Sequence, residues 1–182
     1  TDHSVAGAIS YTLAIIALFA GYLIALRALR SLSEDLAQRR WLWGVVFGGT
    51  ILFSITLALA YPITAIDLFI NAVRTRGWAL YGLNPLATPP QNLPGDPWVG
   101  LSGEWSDISS PYGSVWEGAS LLAFKLAGGD FLAHVFALKA MTVLTYLGCV
   151  VLVALILRRL KPEWALAGTA ACGWNPLVLL EA

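Results

Sequence analysis

Residues 4–26 and 41–66 contain no charged side chain. Uncharged runs of this length form helices able to cross the roughly 30 Å hydrocarbon core of a bilayer. A third run, 131–157, is apolar apart from His134 and Lys139. A fourth starts at Trp164 and is interrupted by Trp174-Asn175-Pro176. In lipid every backbone donor and acceptor must be bonded within the chain, so such runs are helices. Composition agrees, with 58% hydrophobic and 12% charged residues against about 25% charged in soluble domains. The formal net charge of +0 gives no footprint for nucleic acid. Cys149 and Cys172 lie in apolar runs, where they suit a core better than a disulfide or metal pair. The expected fold class is an all-α membrane protein with about four transmembrane helices.

Arg27, Arg30, Arg39 and Arg40 follow the first run, with Glu34 and Asp35 among them. Arg158, Arg159 and Lys161 follow the third. Both basic clusters predict cytoplasmic ends. The stretch between the second and third runs holds only Arg74, Arg76 and Lys125 as basic residues and is expected outside. Residues 1–66 then read as two transmembrane helices with a basic cytoplasmic loop. Residues 67–130 form a long extracytoplasmic loop. Residues 131–182 give two more transmembrane helices, the last truncated. Trp41 and Trp43 suit the membrane interface, and Pro62 can stop or kink the second span. Thr1 in place of Met, and an apolar run reaching Ala182, read as limits of a longer protein with at least one span upstream.

The outer loop carries the candidate chemistry. Residues 67–81 have helical character. Asp67, Asn71 and Arg74, spaced i, i+4 and i+7, share one face. Trp78 and Tyr81 fit headgroup depth, so this helix is expected to lie at the interface. Pro85, Pro89, Pro90, Pro94 and Pro97 forbid regular helix. Residues 115–126 can form a second interfacial helix, ended by Gly128-Gly129. Asp67 can take the proton of a hydroxyl, or simply serve as a cap or first-turn acid. Arg74 and Arg76 can grip phosphate oxygens or plain headgroups. Lys139 lies inside a span, where charges are costly and usually functional. Asn175 can bond backbone groups freed by Pro176. Trp98, Trp105, Tyr112 and Trp116 suit sugar stacking or headgroup contact. Asp67, Glu104, Asp107 and Glu117 offer oxygen ligands for a divalent cation, but their spacing matches no cation loop. No cofactor is firmly expected, and without a Cys/His cluster no structural zinc site is.

Together these residues resemble the first large outer loop of bacterial GT-C class membrane glycosyltransferases, most nearly the polyprenol-phosphate-mannose-dependent α-mannosyltransferases. Asp67, Arg76, Gly82, Asn84 and Pro85 match the run D-x-Y-x-Y-x-x-x-G-R-x-x-x-x-x-G-x-N-P-Y in order and spacing. Asp96-Pro97, Trp105, Ser110-Pro111-Tyr112-Gly113 and Trp116 fit its DP, W and SPYGP-x-W elements. Lys139 fits a lysine early in the next span. Residues 174–179 with Glu181 fit W-N-P-L-V-L-x-E. Phe69, Asn71, Thr75, Leu86 and Ser114 depart from the pattern.

The resemblance implies an enzyme of the bacterial cell membrane. It would move a hexose, mannose-like, from a polyprenyl-phosphate donor to a lipid or glycan acceptor at the outer face. Asp67 would be the catalytic base. Arg74, Arg76 and Lys139 would bind the donor phosphate, with Asn84, Tyr112, Trp105 and Trp116 on the substrate. Arg76 is nine residues beyond Asp67, nearly the opposite side of a straight helix. Either the helix breaks near Gly77 or the two arginines serve different partners. The expected partners are the polyprenyl-phosphate sugar, membrane lipids and other membrane subunits. The alternative reading is a non-catalytic transmembrane subunit or scaffold of a larger membrane complex.

Overall fold

The structure is a computed structural model and describes residues 2–31, 40–60, 67–93 and 95–181. The expectations resting on Glu34, Asp35, Arg39, Pro62 and Pro94 lie outside these residues. Among the described residues every regular element is helical. The helices are α1 (Asp2–Ser31), α2 (Arg40–Leu59), α3 (Asp67–Tyr81), α4 (Ser114–Leu126), α5 (Phe131–Leu160), α6 (Ala165–Gly173) and α7 (Pro176–Glu181), with short 3-10 turns between some of them. The chain divides into two compact units, Thr1–Leu59 with Thr145–Ala182, and Ala60–Leu144.

Two helices are long and apolar enough to cross a membrane, Val5–Ser31 within α1 and Phe131–Leu160. At 1.5 Å per residue each exceeds the roughly 30 Å required. Val5, Ile9, Leu13 and Ile16 on α1 are exposed, as are Leu144, Leu152 and Leu155 on α5. Apolar surface this continuous is what a membrane-spanning helix presents, and the two helices are candidate spans. α2 offers a shorter apolar stretch, Arg40–Thr56. The fourth run is broken into α6, of 9 residues, and α7, of 6.

The first unit explains how that break is tolerated. Its core joins Leu29, Leu42, Val46, Leu166, Ala167 and Ala170. Pro176 has no N–H, so the carbonyls one turn earlier lose helical donors. Tyr146 donates its hydroxyl to the Cys172 carbonyl at 2.9 Å, and Tyr22 donates to that of Ala171 at 2.8 Å. The Asn175 side chain accepts the Leu177 amide at 3.1 Å, as its place before Pro176 predicted. Trp174 donates Nε1 to the Val46 carbonyl at 3.1 Å. The small residue Gly49 makes that approach possible, since a Cβ there would stand 3.0 Å from the indole Nε1. Arg30 and Arg158 lie over the rings of Trp164 and Trp43, at 4.2 and 5.4 Å from the centroids.

The second unit holds the loop. Its core is Ala72, Ala123 and Leu138, with Leu68, Trp98, Phe131, Ala137 and Met141 packed around them. Trp98 meets the Phe131 ring edge-on at 5.0 Å. α3 and α4 pack on one another and match the two helices expected at 67–81 and 115–126. α4 ends at Gly128 and Gly129, both with positive φ, a backbone that glycine adopts without strain. Asp130 then caps α5 by accepting the Ala133 amide at 2.7 Å.

Candidate functional site

α3 runs unbroken from Asp67 to Tyr81, so its two faces do different work. Asp67, Asn71 and Arg74 point at the turn that precedes α4. Asp67 is exposed and its Oδ2 accepts the Tyr112 hydroxyl at 2.9 Å. The buried Asn71 side chain lies beside Tyr112 and acts to lower its hydroxyl pKa. Arg74, only 5% exposed, donates through Nη2 to the carbonyls of Ile108 at 2.8 Å and Ser109 at 3.3 Å.

The turn is built by Ser110-Pro111-Tyr112-Gly113. Ser110 donates its amide to the Pro85 carbonyl at 2.7 Å. Its hydroxyl donates to Glu117 Oε1 and accepts the Tyr112 amide at 3.3 Å. Gly113 enters α4 at φ 84 and ψ 169, a region open essentially to glycine alone. Glu117, in the first turn of α4, is 2% exposed.

Burial and neighbours set the charge states. Burial raises the Glu117 carboxyl, against the Ser110 hydrogen bond and the Arg74 charge. Burial lowers the Arg74 guanidinium, while Glu117, Tyr112 and Asp67 draw it back up. Burial also raises the Tyr112 hydroxyl, and its hydrogen bond to Asp67 adds to that.

Arg76 faces the other way. Its Nε donates to Asp96 Oδ2 at 2.7 Å, and its Cζ lies 4.4 Å from the centre of the Trp98 ring. Tyr81 donates its hydroxyl to the same Asp96 oxygen at 2.8 Å, and the Trp98 amide donates to Oδ1 at 2.9 Å. Burial alone would raise the Asp96 carboxyl. The Trp98 amide, Arg76 and Tyr81 together hold it below its ordinary value. Of the two options for Asp67, Arg74 and Arg76, the second holds: the helix stays straight and the arginines serve different partners.

The remaining candidates are spread out. Asn84 accepts the Leu86 amide at 3.0 Å, closing a local turn. Trp105 is exposed at the end of a 3-10 segment, Val99–Trp105. Trp116 lies beside Tyr112 with ring centres 5.7 Å apart. Lys139 is 5% exposed and donates to the Ala60 carbonyl at 2.6 Å. His134 is fully buried against the Phe124 ring. Among the described residues no group of three or more His, Cys, Asp or Glu could hold a metal ion. Glu117, weighed from sequence only as a cation ligand, lies instead on Ser110. Asp96 was legible within the DP element but not as the partner of Arg76.

The site therefore offers an exposed carboxylate steadied by a phenol, with aromatic rings beside it and buried charge beneath. A family model described as alpha-(1->6)-mannopyranosyltransferase, N-terminal domain, matches residues 2–182. No curated protein and no solved structure matches the chain.

Proposed function

The chain belongs to the family of alpha-(1->6)-mannopyranosyltransferase N-terminal domains, and from that premise we propose that it carries the acceptor-activating part of a membrane mannosyltransferase site. The single observation behind this reading is Asp67, exposed at the start of α3 and accepting from Tyr112 on one oxygen. Oδ1 takes no hydrogen bond from the described residues and suits an incoming hydroxyl.

In the proposed reaction the donor is a polyprenyl-phosphate mannose. An acceptor hydroxyl attacks the anomeric carbon as its bond to the phosphate oxygen breaks. Asp67 takes the hydroxyl proton, and the bonding electron pair stays on the phosphate oxygen, which departs as polyprenyl phosphate. The family description implies attack by a 6-hydroxyl. Arg76 is the basic group proposed to offset charge on the leaving phosphate, since Arg74 and Lys139 are both covered and bonded to backbone carbonyls. Tyr112, Trp105 and Trp116 supply aromatic faces for sugar, with Asn84 near the acceptor path.

The wider setting follows the same reading. Four spans are formed when α2 and the α6–α7 pair cross beside α1 and α5. The basic residues at the ends of α1 and α5 lie at the cytoplasmic face. Residues 67–130 then lie outside. Val115, Leu122 and Leu126, exposed on α4, rest in the headgroup layer.

The test is Asp67→Asn in the full-length protein. Transfer should fall by about 10²–10⁴, the usual contribution of a general base, with membrane insertion intact. Unchanged transfer removes Asp67 from the mechanism.

A further inference from the structure

Two charged residues of this site do not reach its surface. Arg74 is 5% and Glu117 2% exposed. Arg74 grips the carbonyls of Ile108 and Ser109, at one end of the turn that carries Tyr112. Glu117 holds the same turn from α4, through the Ser110 hydroxyl. The two charges attract across the packed α3 and α4 helices. A buried charge without partners is costly, so both are fixed in place by the bonds they make. Tyr112 lies two residues beyond Ser110, and its hydroxyl ends on Asp67.

We propose that Arg74 and Glu117 are positioning residues, which lock the 108–113 turn so that the Tyr112 hydroxyl orients the Asp67 carboxylate toward the acceptor. Arg74 on this account is not a phosphate ligand: its Nη2 is committed to backbone, and its side chain is covered. The phosphate falls to Arg76, because Lys139 is covered and bonded to the Ala60 carbonyl in the same way. The proposal rests on the reading of Asp67 as the base. It adds that the base works only while the turn beneath Tyr112 is held.

The experiment uses full-length protein in proteoliposomes, with a short-chain polyprenyl-phosphate mannose as donor probe. Tyr112→Phe keeps the ring and removes only the hydroxyl. It should lower kcat about tenfold, the effect of one hydrogen bond to a charged group, with donor KM within about twofold of the parent. Arg74→Met and Glu117→Ala should show the same split. Each combined with Tyr112→Phe should lose no more than the worse single variant, because the residues act through one contact. Glu117→Gln keeps the acceptor for Ser110 and should restore most of kcat relative to Glu117→Ala. Should Glu117→Ala or Arg74→Met fail to fold, Arg74→Lys, alone and combined with Tyr112→Phe, carries the same comparison. A donor KM raised about tenfold by Arg74→Met or Arg74→Lys, with kcat unchanged, overturns the proposal in favour of phosphate binding. Fully multiplicative losses in the double variants overturn it as well. An inactive Asp67→Asn beside either result leaves the base reading standing, whereas an active Asp67→Asn sinks both.

Discussion

Replacing Asp96 should unfasten the Pro-rich loop from α3, and the size of the effect can be worked from its contacts. The Asp96 side chain is 1% exposed and accepts from Arg76, Tyr81 and the Trp98 amide at 2.7, 2.8 and 2.9 Å. Net values of about 1.5–3 kcal/mol per bond to a charged group would sum to about 4.5–9 kcal/mol if they were additive. Removing one partner of a buried pair costs about 3–5 kcal/mol in practice. Tyr81 is exposed and the Arg76 side chain is 18% exposed, so water replaces part of the loss. Asp96→Ala should therefore cost about 3 kcal/mol. Arg76→Met, which leaves Asp96 two donors, should cost about 2 kcal/mol. The double variant should fall short of the sum by about 1.5 kcal/mol, well above the roughly 0.5 kcal/mol seen for independent sites. The assay is reversible unfolding of the full-length protein in mixed micelles, followed by tryptophan fluorescence. A pH series adds a second check. The Asp96 carboxyl is held below its ordinary value of 3.8, so the folded state binds fewer protons than the unfolded state there. Its contribution is present above pH 3.8 and is lost as pH falls through the lower folded value. A cost below about 1 kcal/mol for Asp96→Ala, or additivity in the cycle, would refute this account of the loop.

Two further perturbations act on the turn beside Asp67. Gly113→Ala places a Cβ on a residue at φ 84 and ψ 169 with open space around it. Its cost is therefore purely conformational, about 1–3 kcal/mol in the same unfolding assay, and a loss below about 0.5 kcal/mol would show that the turn relaxes freely. Glu117→Gln should flatten one part of the stability profile. Burial holds the parent carboxyl above its ordinary value of 4.5, so the folded state keeps its proton longer than the unfolded state. Parent stability should decline as pH rises from 4.5 through the raised value, and the variant should not follow. A matching decline in the variant would assign that slope to another group.

The helices around the site were legible because their signals are local. Asp67 opens α3 in its first turn, Gly128-Gly129 closes α4, and the i, i+4, i+7 spacing put Asp67, Asn71 and Arg74 together. Asn175 was legible for the same reason, since a side chain before Pro176 sits within reach of the amides the break exposes. What was not legible is pairing across the irregular loop. Asp96 lies 20 residues from Arg76 in sequence, and no periodicity relates a Pro-rich segment to a helix. Glu117 read only as a cation ligand because its partner Ser110 belongs to a turn whose path depends on Gly113. The break in the fourth apolar run was legible at Pro176, but its tyrosine partners were not, because hydropathy is blind to which carbonyls a tyrosine hydroxyl can satisfy.

The two arginines show how helix phase divides the contacts that α3 makes. At about 100° per residue, Arg74 lies about 20° from Asp67 around the axis, and Arg76 about 180°. Each fastens a different irregular segment to the same straight helix, Arg74 through the carbonyls of Ile108 and Ser109, Arg76 through Asp96. An irregular segment cannot bond its own polar groups regularly, so side chains from a rigid neighbour must do it. This has a chemical consequence for Arg76. A guanidinium offers a carboxylate or phosphate either its Nε edge or its paired Nη end. Asp96 already occupies Nε, and the face lies on Trp98. A donor phosphate at Arg76 must therefore be met end-on by the Nη pair, with Asp96 fixing the direction of approach. On that geometry Asp96→Asn should weaken donor binding as well as the fold, because it frees the guanidinium to turn away from the phosphate.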